Sequence, residues 1–282
     1  MIVTRFAPSP TGYLHLGHAF SALIASDAAR AGRFLLRIED IDRGRSREEF
    51  VEAIFEDLGW LGLRWEEPVL RQSARFPAYR KALDLLEEQG VLYPCFCTRA
   101  DIAAEIARSA EAPHGPDGAL YPGTCRTLSA AERRARIESG TPYALRLDSR
   151  KAAARLPQLT FVEATLETET TGNQVTVDPL LFGDVVLARK DVPASYHLAV
   201  VVDDAEQGVT LVTRGRDLLR AAHIQRVLQE LLRLPAPRYA HHRLILDENG
   251  RKLSKRDGAT SLRMLRLNGT TAEKLRRHIL AP

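Results

Sequence analysis

Long apolar segments are absent from this sequence. Among its 282 residues, the longest uninterrupted run of apolar side chains is Leu198 to Val202, whereas a membrane-spanning helix needs about 20 apolar residues. The N-terminal residues Met1 to Arg5 contain no signal-like apolar stretch or cleavage site. We therefore expect a cytoplasmic protein that does not contact a membrane.

Cysteine is also scarce. The three cysteines are Cys95, Cys97 and Cys125, and three cannot all pair within one chain, which excludes a disulfide framework. In a cytoplasmic protein, a C-x-C pair with a third cysteine downstream indicates a metal site rather than a disulfide.

Lysine is rare among the basic residues. Only six of the 40 Lys and Arg residues are lysine, and two of these six are Lys252 and Lys255. The net charge of +4 is compatible with a nucleic-acid or phosphate partner but does not establish one. Hydrophobic residues make up 45% and charged residues 27%, which is typical of a soluble globular enzyme and argues against disordered and fibrous proteins.

The order of predicted elements indicates an α/β fold. Strands and helices alternate, and this order favours a parallel sheet with helices on its faces. We expect strands at 2–6, 34–38, 196–202 and 209–213, further strands near 160–178, and helices at 16–31, 47–58, 73–89 and 216–232.

The amino-acid composition changes along the chain and suggests where its domains begin and end. Ala-rich, Pro/Gly-rich and Arg-rich stretches follow Cys95, and this change in character suggests an inserted domain. We expect a first catalytic half at 1–94, an insert at 95–188, a second catalytic half at 189–238 and a C-terminal segment at 239–282.

An H-x-G-H motif marks the start of the first helix. His15 and His18 lie one turn apart, where the N-terminal amides of a helix favour a bound phosphate. Gly17 lacks a side chain, so that a nucleotide can approach the backbone. The two imidazoles can donate hydrogen bonds to an α-phosphate as negative charge builds on it.

A second basic motif, K-L-S-K-R, occurs near the C-terminus. Lys252, Ser254 and Lys255 lie in a polar segment between Asn249 and Asp257. A cationic loop of this kind can close over the β- and γ-phosphates and stabilise the departing pyrophosphate.

Together these motifs resemble the two signatures of class I aminoacyl-tRNA synthetases. The segments Arg5 to Gly12, R-F-A-P-S-P-T-G, and Leu36 to Asp40, L-R-I-E-D, resemble the glutamyl/glutaminyl branch of that family. The resemblance covers nearly the whole chain, with a weaker match at 130–175. It implies a Rossmann-like parallel sheet and the use of ATP with Mg²⁺, with His15, His18 and Lys255 as the catalytic residues.

The resemblance also implies a pocket for L-glutamate. Guanidinium groups bind carboxylates and a carboxylate binds the ammonium group, so Arg5 and Arg214 would hold the side-chain carboxylate and Glu39 the amino group. The full set that the resemblance assigns to glutamate is Arg5, Phe6, Ala7, Pro8, Ser9, Glu39, Tyr196 and Arg214, and the ATP set is His15, Gly17, His18, Lys252, Ser254 and Lys255.

The three cysteines leave one position open in a four-coordinate zinc site. Chemistry alone favours His114 as the fourth ligand over Tyr121, because a phenol must first lose a proton with a pKa of about 10. Three buried free cysteines are a further alternative. The resemblance favours Tyr121, since glutamyl-Q tRNA(Asp) synthetases share the C-x-C and Y-x3-C pattern with a tyrosine as zinc ligand. We therefore expect one structural Zn²⁺ held by Cys95, Cys97, Tyr121 and Cys125.

The inserted region is basic. Between residues 132 and 155 we count seven basic and three acidic residues, which can form either a face that follows RNA phosphates or a solvated helix surface. The seven basic residues are Arg133, Arg134, Arg136, Arg146, Arg150, Lys151 and Arg155.

Only 27 residues follow Lys255, so we expect no anticodon-binding domain. The resemblance then narrows to the glutamyl-Q tRNA(Asp) synthetase family. It implies glutamyl-adenylate formation without tRNA, and then transfer of glutamate to queuosine in the anticodon of tRNA(Asp). The expected partner is the anticodon stem-loop, bound by a monomer. Two alternatives are a truncated enzyme that charges a tRNA 3′ end and a non-catalytic RNA-binding paralogue.

Overall fold

The computed structural model describes residues 1–108, 114–115, 118–165, 172–246 and 260–281. Its strands are β1 Val3–Phe6, β2 Arg33–Ile38, β3 Glu66–Arg71, β4 Leu92–Cys95, β5 His114–Gly115, β6 Gly118–Ala119, β7 Ala144–Leu147, β8 Thr160–Ala164, β9 Gly172–Thr176, β10 Val186–Ala188, β11 Leu211–Gly215 and β12 Arg238–His242. Its helices are α1 Leu16–Ala29, α2 Glu48–Trp60, α3 Phe76–Glu88, α4 Arg99–Arg108, α5 Ala130–Glu138, α6 Ser149–Arg155, α7 Tyr196–Glu206, α8 Ala221–Leu231, α9 Leu262–Leu267 and α10 Ala272–Leu280.

Parallel strands form the centre of the fold. β1 pairs with β2 and β2 with β3, while β11 pairs with β12 and β12 with β8, all in parallel. The two groups meet where the Thr210 amide donates to the Val3 carbonyl at 3.0 Å. From the junction of β1 and β11, strands β2 and β3 are added on one side and strands β12 and β8 on the other. Open α/β sheets bind ligands at such a switch point.

Both faces of this sheet are buried. On β2, Leu35 packs with Tyr79, Leu198 and other apolar residues of α3, α7 and α8. Phe34 and Leu36 belong to a second apolar cluster, which includes residues of α1, α2 and α10. Alternate residues of the strand thus enter opposite apolar layers, which explains why the consecutive residues Phe34, Leu35 and Leu36 are all apolar.

A separate antiparallel sheet joins β4, at the end of the predicted first half, to two strands within 95–188. β7 pairs with β4 on one side and with β10 on the other. In contrast, β8 and β9, which also fall within 95–188, are joined to β12 of the main sheet. The domain limits stay a prediction.

Most of the predicted elements are confirmed. The helices predicted at 16–31, 47–58, 73–89 and 216–232 correspond to α1, α2, α3 and α8, and the strands predicted at 2–6, 34–38 and 209–213 to β1, β2 and β11. The alternating stretch near 160–178 contains β8 and β9. None of the helices within the described ranges is long and apolar enough to cross a membrane.

The strand predicted at 196–202 is wrong, because these residues belong to helix α7. The Ser195 hydroxyl accepts from the Leu198 amide and caps the helix. Leu198, Ala199, Val200 and Val201 are all buried. A run that is apolar at every position carries no period, so it does not distinguish a buried strand from a buried helix.

Candidate active site

One cavity of about 590 Å³ opens at the switch point of the sheet. Its wall takes residues from the ends of β1, β2, β11 and β12 and from the start of α1. Among its lining residues are eleven that the sequence predicted to bind glutamate or ATP: Arg5, Phe6, Ala7, Pro8, Ser9, His15, Gly17, His18, Glu39, Tyr196 and Arg214. The structure brings these residues together; their individual roles stay predictions.

The two histidines of the H-x-G-H motif cap α1. The Gly17 amide donates to His15 Nδ1 at 3.1 Å, and the His15 amide donates to His18 Nδ1 at 3.2 Å. Because both Nδ1 atoms accept, a neutral ring carries its proton on Nε2. Both rings line the cavity, and their centroids are 3.8 Å apart. The capping bonds therefore hold two imidazoles side by side in the form that donates through Nε2.

Gly17 lies close to the imidazole ring of His15. A Cβ atom at position 17 would lie 3.1 Å from Cε1 and 3.2 Å from Nδ1 of that ring. These separations are shorter than ordinary van der Waals contact, so a larger residue would force the imidazole to shift by a few tenths of an ångström.

Two buried arginines share one carboxylate below the cavity. Arg5 Nε lies 3.0 Å and Arg37 Nη1 2.8 Å from the same oxygen, Oδ1 of Asp204 on α7. Burial alone raises the pKa of Asp204, but Arg5 and Arg37 outweigh it and hold the pKa below its usual value. The ionised Asp204 thus fixes Arg5 at the cavity wall, and a buried pair of this kind depends on both partners.

Glu39 follows β2 and is only 10% exposed. Burial raises its pKa to about 7, although Arg37 and Arg5 act in the opposite direction. The nearest guanidinium nitrogen of Arg37 is 3.6 Å from Glu39 Oε1. Glu39 therefore changes its charge near neutral pH, and a bound ammonium group would favour the ionised form.

Arg214, near the end of β11, is 6% exposed. Its Nε donates to His241 Nε2 at 3.0 Å and its Nη1 to Gln225 Oε1 at 2.8 Å. Nη2 has no hydrogen-bond partner among the described residues. A buried donor without a partner costs about 1–3 kcal/mol, and a carboxylate in the cavity would supply the missing acceptor.

Tyr196 is the first residue of α7 and lines the same cavity. Its position follows from the Ser195 cap.

The K-L-S-K-R motif, with Lys252, Ser254 and Lys255, lies outside the described residues.

His242 is a cavity residue that sequence reasoning missed. It is 4% exposed, and its Nδ1 lies 2.8 Å from the Arg243 carbonyl. Its Nε2 has no hydrogen-bond partner among the described residues. The paired histidines at 241 and 242 could have drawn attention to this position, but β12 was not among the predicted strands.

The three cysteines meet beside β4. Their Sγ atoms lie within 4.8 Å of one another, and Tyr121 Oη is 3.4 Å from Cys95 Sγ and 3.5 Å from Cys97 Sγ. Gly123, with φ +90°, forms the turn that leads from Tyr121 to Cys125. The Cys125 amide donates to Tyr121 Oη at 2.9 Å. The phenol oxygen therefore belongs to the same cluster as the thiols.

This donor set fits a metal ion. In a tetrahedral site with metal–sulfur bonds of about 2.3 Å, neighbouring donors are about 3.5–3.8 Å apart, close to the 3.4 Å between Cys97 Sγ and Cys125 Sγ. Burial raises the pKa of Tyr121 and brings that of Cys97 to about 11, so a bound cation would have to displace protons. The side chain of His114 lies outside the described residues.

Comparison with known proteins agrees with this architecture. Residues 1–280 match the family described as tRNA synthetases class I (E and Q), catalytic domain. The chain is 49% identical to a glutamyl-Q tRNA(Asp) synthetase of Rhodobacter capsulatus, with 99% of each chain covered. It is 40% identical to a glutamate–tRNA ligase of Aquifex aeolicus, with 97% of this chain and 55% of that protein covered.

A solved structure shows the same fold. The glutamate–tRNA synthetase of Elizabethkingia anophelis superposes with a TM-score of 0.74 at 30% identity, covering 91% of this chain and 53% of that chain. This chain thus spans about half the length of the solved enzyme. The resemblance inferred from the motifs is confirmed: the chain belongs to the family of class I tRNA synthetase catalytic domains for E and Q, and it is an aminoacyl-tRNA synthetase-like ligase.

Proposed function

We propose that this protein activates L-glutamate with ATP in the absence of tRNA and then transfers the glutamyl group to queuosine in the anticodon of tRNA(Asp). The observation that carries the activation step is the convergence of the predicted charged groups on one cavity. This cavity joins two buried guanidinium groups, Arg5 and Arg214, with the Glu39 carboxylate and the H-x-G-H histidines. This set of charges is complementary to glutamate beside a triphosphate.

Each charged group has a distinct task in activation. The unpartnered Nη2 of Arg214, with Arg5, binds the side-chain carboxylate, and ionised Glu39 binds the ammonium group. The substrate α-carboxylate then attacks the α-phosphorus, and pyrophosphate leaves. His15 and His18 donate through Nε2 to the charge that develops on the α-phosphate. Mg²⁺ bound with ATP would neutralise part of the charge of the triphosphate.

The transfer step is supported by the comparisons. Near-complete coverage of both chains with a protein named glutamyl-Q tRNA(Asp) synthetase favours queuosine as the acceptor. The exposed face of α5, with Arg134 and Arg136, offers positive charge for the phosphates of an anticodon stem-loop. We propose that a monomer binds this RNA.

The cysteine cluster with Tyr121 is proposed to hold one structural Zn²⁺, which would fix the loop of the insert.

Pyrophosphate exchange tests the first step. We expect exchange that requires glutamate and ATP and proceeds without tRNA. An absolute requirement for tRNA would contradict the proposal for activation.

Labelled glutamate tests the second step. We expect label on tRNA(Asp) that contains queuosine, and none on the same tRNA without queuosine or on tRNA(Glu). The 40% identity to a glutamate–tRNA ligase favours a second candidate, charging of a tRNA 3′ end. Label on tRNA(Glu) alone would select that candidate, and no activation with any tRNA would select an RNA-binding paralogue.

A further inference from the structure

We propose that His241 and Glu163 are positioning residues that hold the Arg214 guanidinium in the orientation needed for the substrate carboxylate. This inference rests on the proposed function, in which Arg214 binds glutamate. Neither His241 nor Glu163 is among the residues that line the cavity. They would therefore act through Arg214, without touching the substrate.

The three side chains form a continuous hydrogen-bonded series across three neighbouring strands. Arg214 on β11 donates from Nε to His241 Nε2 on β12 at 3.0 Å. His241 Nδ1 lies 2.8 Å from Oε2 and 2.9 Å from Oε1 of Glu163 on β8. Glu163 Oε1 also accepts from the His241 amide at 3.1 Å. The carboxylate thus binds both the ring and the backbone of the same histidine.

The direction of these bonds specifies one tautomer. A guanidinium Nε–H can only donate, so His241 Nε2 must accept and the ring proton must be on Nδ1, facing Glu163. Burial lowers the pKa of His241; Arg214 also lowers it, while Glu163 and Asp217 act to raise it. A protonated ring would direct an N–H at the Arg214 donor. The arrangement therefore requires a neutral imidazole.

A second contact completes the orientation of the guanidinium plane. Gln225 on α8 accepts from Arg214 Nη1 at 2.8 Å, and the guanidinium carbon lies 5.0 Å from the Tyr239 ring centroid. The Tyr239 and His241 rings are themselves parallel within 5°. With Nε and Nη1 both bonded, a planar guanidinium has little freedom to rotate, and Nη2 is left for a ligand.

A purely structural role would also use some of these contacts. Glu163 and Tyr239 are register partners of β8 and β12, so the Glu163 bond to the His241 amide joins the strands. That role predicts only a loss of stability on substitution. Positioning predicts in addition a selective loss of affinity for glutamate, with little effect on ATP.

Two substitutions of His241 separate its two bonds. In His241→Asn, the side-chain amide can replace Nδ1 and keep Glu163, but it does not reach Arg214. In His241→Gln, the carbonyl oxygen can replace Nε2 and accept from Arg214. We expect the glutamate KM in pyrophosphate exchange to rise at least about tenfold in His241→Asn, and less than about threefold in His241→Gln. The ATP KM and kcat should stay within about twofold in both.

His223→Asn is the matched control. His223 is a partly buried histidine on α8 whose Nδ1 accepts from the Asp178 amide, and it does not line the cavity. Its substitution should leave the glutamate KM unchanged. An unchanged glutamate KM in His241→Asn would overturn the positioning role. Absence of glutamate-dependent exchange in the unsubstituted protein would instead contradict the proposed function.

Nitrogen NMR of the imidazole provides a readout that needs no substrate. We expect His241 in the Nδ1–H tautomer, with Nε2 unprotonated at neutral pH. Glu163→Ala should allow the Nε2–H tautomer of His241 to become populated. The glutamate KM should then rise, since an Nε2–H cannot accept the hydrogen bond from Arg214. A protonated Nε2 in the unsubstituted protein would overturn the inference even if a His241 variant failed to fold.

Discussion

His15 and Ser261 form an isolated antiparallel β-bridge. Beside it, the Leu262 amide donates to the Leu14 carbonyl at 2.7 Å. On the other side of the intervening segment, Ile245 lines the cavity. Of the described residues on the two sides of 247–259, Ile245 thus lies at the cavity and Ser261 lies beside the H-x-G-H motif.

Lys255→Ala is expected to slow pyrophosphate exchange about 100-fold with little change in the glutamate KM. The reason is that Ile245 lines the cavity and Ser261 is paired with His15, so that a cation from the intervening segment would stabilise the departing pyrophosphate. Lys274→Ala, on the exposed surface of α10, is the control. Equal rates in the two variants would contradict the role of Lys255.

Gly17→Ala is expected to lower the exchange kcat at least about tenfold, because the added Cβ displaces the His15 ring. Gly59→Ala is a matched control, since a Cβ at Gly59 in α2 meets no atom within 4 Å. That control should retain full activity and gain up to about 1 kcal/mol of stability. Steady-state exchange and thermal unfolding of both proteins check this prediction.

Glutamate binding is expected to weaken as pH falls through about 7. Burial raises the pKa of Glu39 to about 7, so at lower pH the carboxyl is neutral and attracts the ammonium group less. The glutamate KM should rise below pH 7 and level off above it, while the ATP KM changes little. Glu39→Gln should raise the KM at pH 8 and remove this dependence; a pH profile that is the same in both proteins would argue against Glu39.

Asp204→Asn is expected to reduce the free energy of unfolding by about 3–5 kcal/mol, because two buried guanidinium groups lose their shared carboxylate. Urea unfolding monitored by circular dichroism measures the change. Asp191→Asn removes an exposed carboxylate paired with Arg189 and should leave the midpoint unchanged. Similar midpoints for the two variants would show that Asp204 does not stabilise the buried pair.

The cysteine cluster is expected to hold one zinc ion per chain. Cys97→Ser and Tyr121→Phe should lower the zinc content after dialysis, whereas His114→Ala should retain it. Metal analysis of the purified proteins decides between the two candidate ligands. Retention by Tyr121→Phe together with loss by His114→Ala would assign the fourth position to His114.

Local features of the site could be predicted from the sequence because they depend on near neighbours. The H-x-G-H motif was expected at the start of α1, where the structure shows His15, Gly17 and His18 joined by bonds that span at most three residues. Family resemblance supplied the eight cavity residues assigned to glutamate, whereas residues such as His242 were not predicted. The apolar run in α7 was misjudged because a uniform pattern carries no period.

By itself, then, the sequence determined the α/β alternation and the start of helix α1, and together with the family resemblance it identified eleven of the residues that line the cavity. Only the tertiary structure decided that Arg5 and Arg37 share Asp204, and that Arg214 is held by His241 and Glu163. These partners come from separate strands and helices, and their meeting depends on how the chain pairs its strands at the switch point. The local sequence pattern specifies a single helix or strand. The packing of helices and strands that are distant in the sequence determines which charged side chains come into contact.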